Sequence, residues 1–187
     1  SDHANDLIDR IEVTTMDHFQ ETEEWCEVYA PDLVTKIEPI ELPQPEADLG
    51  LFDYRDIVGQ IEDLFQPYII MNDGAVIIIQ ETAALTAIDV NRGADQRSNY
   101  EINFEPAEEI ARHMRLRNMG GAFMIDFLKM KAAEQKKLHK IFEDFFVGHD
   151  PCTVQISGMT KLGFMELARH RRTPPLQDRF ESAVSQS

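Results

Sequence analysis

Strand-length apolar runs alternate with helix-length amphipathic stretches along this chain, and that alternation confines it to the α/β class. The most apolar stretch, Ala75–Ile79, is no longer than a strand. No run reaches the roughly 20 residues a bilayer crossing needs, so no membrane segment is expected. Tyr68–Met71 and Ala75–Glu81 flank Asn72-Asp73-Gly74, which predicts a hairpin closed by a type I′ turn at the Asp-Gly step. Ala84–Asn91 reads as the next strand. Arg92–Tyr100 is polar and aperiodic, and is expected to be a poorly packed, mobile loop. Glu105–Asn118 has a helical apolar side in Ala107, Ile110, Ala111 and Met114, ended by Gly120-Gly121. Ala122–Leu128 is a strand, and Lys131–Val147 a helix with Leu138, Ile141, Phe142 and Phe145 inward and Lys136, Lys137 and Lys140 outward. Thr153–Ser157 is a strand, and Leu162–Arg169 fits either strand or helix.

Upstream, Ile8–Thr15 predicts a strand and Asp17 can cap a helix running to about Tyr29, where Pro31-Asp32 ends it. Leu33–Ile40 resembles a second strand and Glu41–Gly50 a loop. A helical stripe of Ile57, Val58, Ile61, Leu64 and Phe65 predicts a helix over Tyr54–Phe65, stopped by Pro67. The expected organisation is an acidic α/β segment with its linker at 1–48, a main domain at 49–176 and an irregular tail at 177–187. Cys26 and Cys152 form no CxxC pair, which fits reduced thiols in a cytoplasmic protein better than a disulfide framework or a zinc site.

Charge restricts the function. A net −16 excludes a protein that wraps a polyanion over its whole surface. Residues 1–102 hold 5 Lys+Arg against 23 Asp+Glu, or −18, whereas residues 103–187 hold 13 against 11, or +2. Any nucleic-acid contact belongs to the second half.

Two carboxylates stand out inside apolar strands. In Leu85–Asn91, alternate residues Leu85, Ala87, Asp89 and Asn91 share a face. Phe123-Met124-Ile125-Asp126-Phe127 repeats the picture. A carboxylate at the carboxyl end of such a strand is costly unless solvated, paired or cation-bound, and ligands of open α/β sheets lie just past such ends. If the two strands are neighbours, Asp89 and Asp126 converge, repel each other and suit a hard divalent cation, magnesium best of all. Asn91 could then orient a carboxylate. The plainer reading of an Asp at a strand end is a turn former or a helix cap, and spacing alone leaves both readings open.

Four segments resemble the bacterial ribonuclease E/G family. Glu81–Asn91 (ETAALTAIDVN) is similar to its TEALTAIDVNSG signature, and Asn103–Gly121 to its NLEAAEEIARQLRLRDLGG helix. Met124–Phe127 is similar to its VIDF strand, and Gly163–Arg171 to its GLLEMSRQR segment, all in order over about residues 50–176. The resemblance implies a deoxyribonuclease I-like mixed sheet with flanking helices. It implies a magnesium-dependent endoribonuclease that hydrolyses single-stranded RNA to 5′-phosphate and 3′-hydroxyl ends, with a possible homo-oligomer. Residue by residue, it implies that Asp89 and Asp126 bind magnesium and that Asn91 assists them. Arg112, Arg115, Arg169 and Arg171 are the candidates for phosphate contact, and for Arg112 and Arg115 a pairing with Glu108 and Glu109 competes with it. His113 and His139 read as inert residues on charged helix faces, and His170 replaces a family Gln.

This sequence also departs from the family pattern. The 187 residues leave no room for the family's S1 domain or 5′-monophosphate pocket, and hold no CPxC segment. Arg92 stands where the signature has Ser, and Lys129 where an Asp usually follows VIDF. The chain reads as a fragment or a reduced relative. The competing functions are a catalytically weak RNA-binding or scaffold relative, and a metal-dependent phosphoesterase with another substrate.

Overall fold

The computed structural model describes residues 8–43 and 50–184. The chain forms two compact units that divide at Glu62/Asp63.

In the first unit, β1 (Ile11–Val13) pairs in parallel with β2 (Ile37–Pro39), joined through α1 (Met16–Tyr29). Thr15, not Asp17, caps α1, its side chain accepting from the His18 N–H at 3.1 Å. Of the expected strand over Leu33–Ile40 only Ile37–Pro39 is extended; the first half belongs to a 3-10 helix, Pro31–Lys36, with Pro31 in its first turn where a proline costs no hydrogen bond. Val13, Cys26, Ala30, Leu33 and Ile37 form a small core. Residues 44–49 of the expected loop lie outside the described residues. The helix expected over Tyr54–Phe65 is two pieces, α2 (Leu51–Tyr54) and α3 (Ile57–Leu64). They are broken where Asp56 takes a left-handed φ of 53°.

The second unit is a six-stranded mixed sheet in the order β3-β4-β5-β6-β8-β7. Its strands are β3 (Tyr68–Ile70), β4 (Val76–Glu81), β5 (Thr86–Asn91), β6 (Gly121–Asp126), β7 (Thr153–Met159) and β8 (Met165–His170). Only the central pair β5·β6 is parallel, as its crossover through α4 (Asn99–Leu116) requires. The β3–β4 hairpin exists, with a different turn. Gly74 donates to the Met71 carbonyl (3.0 Å) and Met71 to that of Ala75 (2.8 Å). Only Gly74, at φ 91°, is left-handed. This is a three-residue loop with a glycine bulge, not a type I′ turn. The β7–β8 hairpin repeats the device with Thr160, Gly163 and Phe164, which makes Met165–His170 a strand.

One face of the sheet carries Ile77, Ile79, Ile88, Val90, Phe123, Ile125, Met165 and Leu167. That face is buried under α4 and α5 (Ala132–Asp144) through Ala107, Ile110, Ala111, Met114, Leu138 and Phe142. At ~25 cal/mol per Å² of apolar surface, this one-sided core is what selects the strand register. On the other face Ile78, Ala87 and Met124 are only half-buried, and Gln80, Asp89 and Asp126 are exposed. Residues 176–184 are not irregular: Leu176–Val184 is α6, whose Phe180 ring packs against Phe65 at 5.7 Å.

α4 begins at Asn99, six residues before the expected start at Glu105. Ser98 and Glu101 form a reciprocal capping box, with Ser98 N–H to Glu101 Oε2 at 3.0 Å and Glu101 N–H to Ser98 Oγ at 3.4 Å. That start leaves Pro106 inside the helix, where it removes one bond to the Ile102 carbonyl.

Candidate functional site

β5 and β6 bring Asp89 and Asp126 together. The two are register partners in the parallel pair, so their side chains leave the same face, opposite the core. Neighbouring strands lie about 4.8 Å apart. Both residues are exposed, and neither enters an ion pair among the described residues. Asn91, two residues along on the same face, donates from Nδ2 to Asp89 Oδ2 at 2.8 Å. The three residues therefore occupy the carboxyl end of the central strands.

Hydrogen bonds hold the segments that leave both strand ends. Asn103, fully buried on α4, donates from Nδ2 to the Leu128 carbonyl (2.8 Å) and accepts the Leu128 N–H at Oδ1 (3.0 Å). Asn99 donates to the Lys129 carbonyl (2.8 Å) and accepts from Arg92 Nη2. Arg92 also donates to the carbonyls of Asp95 (3.0 Å) and Arg97 (2.7 Å).

The segment after β5 is thus not the poorly packed loop expected. Arg97 bridges Asp95 (2.6 Å), Glu105 (2.5 Å) and Asp73 of the β3–β4 turn (2.9 Å). Hydrogen bonds from the Arg97 side chain and N–H hold the buried Asp95 carboxyl below the usual carboxylate range. The same contacts with Asp95 and Glu105 raise the Arg97 guanidinium further. Gly93 closes the packing: a Cβ there would stand 1.9 Å from the Gly74 carbonyl oxygen.

The expected phosphate-contacting arginines lie elsewhere. Arg169 is buried, donating to both Asp150 oxygens (2.8 and 2.9 Å), to the Met119 carbonyl (2.6 Å) and to Asn118 Oδ1 (3.3 Å). Arg115 donates to the Phe145 carbonyl (2.9 Å), beyond the end of α5. Arg112 is exposed but pairs with Glu109 at 2.6 Å. It sits thirteen residues past Asn99, about 20 Å along α4 from the Asp126 end. Arg171 follows β8, where Arg169 pairs with Gly121, and its side chain stands against Gly120, so it lies roughly 20 Å of strand away from Asp126. Exposed cations at the right end are Lys129 and Lys131, three and five residues after Asp126. Sequence reasoning passed over them, although a cation just past the second carboxylate strand was a readable signal. His113 is not a surface residue: buried, it accepts from Arg117 Nε at Nδ1 (3.0 Å) and faces Glu109 with Nε2 (3.1 Å).

Among the described residues no three His, Cys, Asp or Glu side chains gather around one point. The protein donors at this site are two hard carboxylate oxygens on open surface. That set fits magnesium, which takes one or two carboxylates and keeps several waters, and does not fit zinc.

A mixed-sheet α/β unit with paired carboxylates at its central strand ends has the makings of a cation-assisted site. Similarity to known proteins narrows the class: the family described as Ribonuclease E/G family matches residues 1–172, and the chain belongs to it. It is 30% identical to the Ribonuclease E/G-like protein, chloroplastic, of Arabidopsis thaliana, over 92% of this chain and 18% of that protein. It is 36% identical to Ribonuclease E of Escherichia coli (strain K12), over 69% of this chain and 13% of that protein. With Ribonuclease G of the same strain the identity is 29%, over 91% and 35%. The chain thus spans between about one eighth and one third of the length of these relatives. No helix among the described residues is long and apolar enough to cross a membrane.

Proposed function

We propose that this chain carries the catalytic carboxylate pair of a magnesium-dependent endoribonuclease that cuts single-stranded RNA, leaving 5′-phosphate and 3′-hydroxyl ends. The observation that carries the reading is the in-register pairing of Asp89 with Asp126 on an open sheet face, with Asn91 bonded to Asp89. When bound, magnesium supplies a Lewis acid beside the phosphate and lowers the pKa of a bound water. Asp89 and Asp126 would hold it, and Asn91 fixes the rotamer of Asp89 so that one carboxylate oxygen is committed before substrate arrives. Lys129 and Lys131 neutralise phosphates flanking the cut, where the local field is otherwise negative. The Asn99 and Asn103 amides keep the segment after β6 in place, which holds Asp126 at its distance from Asp89.

The test is cleavage of labelled single-stranded RNA with and without magnesium, beside Asp89→Asn and Asp126→Asn. Each variant keeps side-chain size and removes one of the two charges, so magnesium-dependent cleavage is lost while the metal-free melting temperature stays level or rises. Full cleavage by either variant would refute the assignment. Absence of cleavage by the wild-type chain, with RNA binding retained, would replace it with the scaffold reading.

A further inference from the structure

The face that bears the carboxylates continues past them into an apolar depression of about 320 Å³, near the lower end of small-molecule clefts. Its floor is Ala87 and Met124, register partners two residues before Asp89 and Asp126 and so roughly 6.6 Å further down the strands. Ala87 is small and leaves the space. Ile78, Leu85 and Phe164 form the walls, and Gln80, the cross-strand partner of Ala87, supplies a neutral amide. Phe164 follows the Thr160–Gly163 turn and comes one residue before Met165, the partner of Ile125, which places it beside Asp126.

We propose that this depression seats the nucleobase next to the scissile phosphate, and that Phe164 is the side chain it stacks on. The inference rests on the RNA-cleaving reading above. Phosphate is excluded from the depression by the two carboxylates at its mouth, which repel any anion lacking a cation between them. Ribose would lose the hydration of its hydroxyls against Ile78, Leu85 and Met124. An apolar protein surface docked there would desolvate both carboxylates without pairing them. A base has what the site asks for: apolar faces for Phe164 and Met124, and a polar edge for the Gln80 amide. With a phosphate at the Asp89–Asp126 row, the adjoining base faces the Ala87–Met124 row, roughly 6.6 Å away along the strands. Stacking on an aromatic ring tolerates every base, so Phe164 sets the position of the cut more than its sequence.

The experiment uses the full chain and a short single-stranded RNA with 2-aminopurine moved through successive positions, mixed in magnesium by stopped flow and read before cleavage. Cleavage in magnesium of the same RNA carrying an abasic residue at each position completes it. The variants are Phe164→Ala, Phe164→Leu, which keeps apolar volume should Ala loosen the hairpin, and Phe164→Tyr, which keeps the ring. Wild type and Phe164→Tyr should change the emission of one position only, and the Ala and Leu variants should lose that change along with about tenfold in affinity. An abasic residue at that position should slow the wild type by a similar factor and slow Phe164→Leu no further. Equal affinity and emission in all four proteins would overturn the base seat while leaving the RNA reading intact. A wild-type chain that neither binds nor cuts RNA would overturn both.

Discussion

Asn103→Leu removes a link between α4 and the segment that leaves β6, and its cost can be worked from the structure. The amide is fully buried and satisfies both the N–H and the carbonyl of Leu128. Leucine keeps the volume and apolar packing, so the perturbation is confined to those two hydrogen bonds. Each backbone group left without a partner, being only half-buried, costs the lower part of the usual range, about 1–2 kcal/mol, and the pair about 2–4 kcal/mol. For a unit running from Asp63 to Ser187, an unfolding entropy of ~2.1 cal/mol/K per residue converts that loss into a fall of roughly 8–15 °C in its melting temperature. Calorimetry reads the fall, and hydrogen exchange shows whether the Leu128 amide has become labile. Cleavage should drop more than the folded fraction does, because Asp126 sits two residues before Leu128 and a small displacement of a catalytic group costs on the order of 100-fold. A melting temperature within about 2 °C of wild type, with the Leu128 amide still protected, would refute the reasoning.

Arg97→Met should speed hydrogen exchange at the Asp95 and Arg97 amides, which bond to the Arg92 carbonyl (3.2 Å) and the Asp95 carboxylate (2.9 Å) in a segment held by the ion pairs with Asp73, Asp95 and Glu105. Arg169→Met strands Asp150 as a buried unpaired carboxylate and should cost about 3–5 kcal/mol in denaturant unfolding. Burial raises the Asp150 carboxyl, but its bonds from Arg169 and the Cys152 N–H together draw it below its ordinary value. Its contribution is therefore complete above about pH 4 and is lost as pH falls through the lowered value, an acid-side loss that Asp150→Asn should not show. Replacing Lys129 and Lys131 together by Ala should reduce the slope of log affinity for RNA against log salt by about 0.7 for each phosphate those ammonium groups neutralise, whereas Arg171→Ala should leave it unchanged.

The sheet was legible where burial is one-sided. Alternation in Leu85–Asn91 and Phe123–Phe127 assigns the strands and puts both aspartates off the core face, and the parallel pairing matches it residue for residue. What failed was the reading of polar residues. Arg92, Asp95 and Arg97 look like solvated loop, yet they satisfy one another and bury Asp95, which composition cannot reveal. Arg169 looked like a phosphate-binding residue because its partner Asp150 lies nineteen residues away in sequence and meets it only once β8 is in place. The start of α4 was readable in Ser98-Asn99-Tyr100-Glu101, a capping-box spacing, which lies ahead of the apolar side that begins at Ala107. The scaffolding amides of Asn99 and Asn103 carried no signal of their own, since a helical asparagine is most often exposed.

The site's geometry is imposed by the opposite face of the sheet. Asp89 and Asp126 repel each other, but exposed charges about 5 Å apart in water interact by only ~0.8 kcal/mol. Ile88, Val90, Phe123 and Ile125, on the same two strands, each gain roughly 1.5–3 kcal/mol from burial. A slip of one residue on either strand would bring those side chains into water and drive a carboxylate into the core. Burial therefore outweighs the repulsion several-fold, and the carboxylates remain together before any cation arrives. The pairing needs no metal to form, which is why charge-neutralising substitutions at either aspartate can remove cation affinity without loosening the sheet that aligns them.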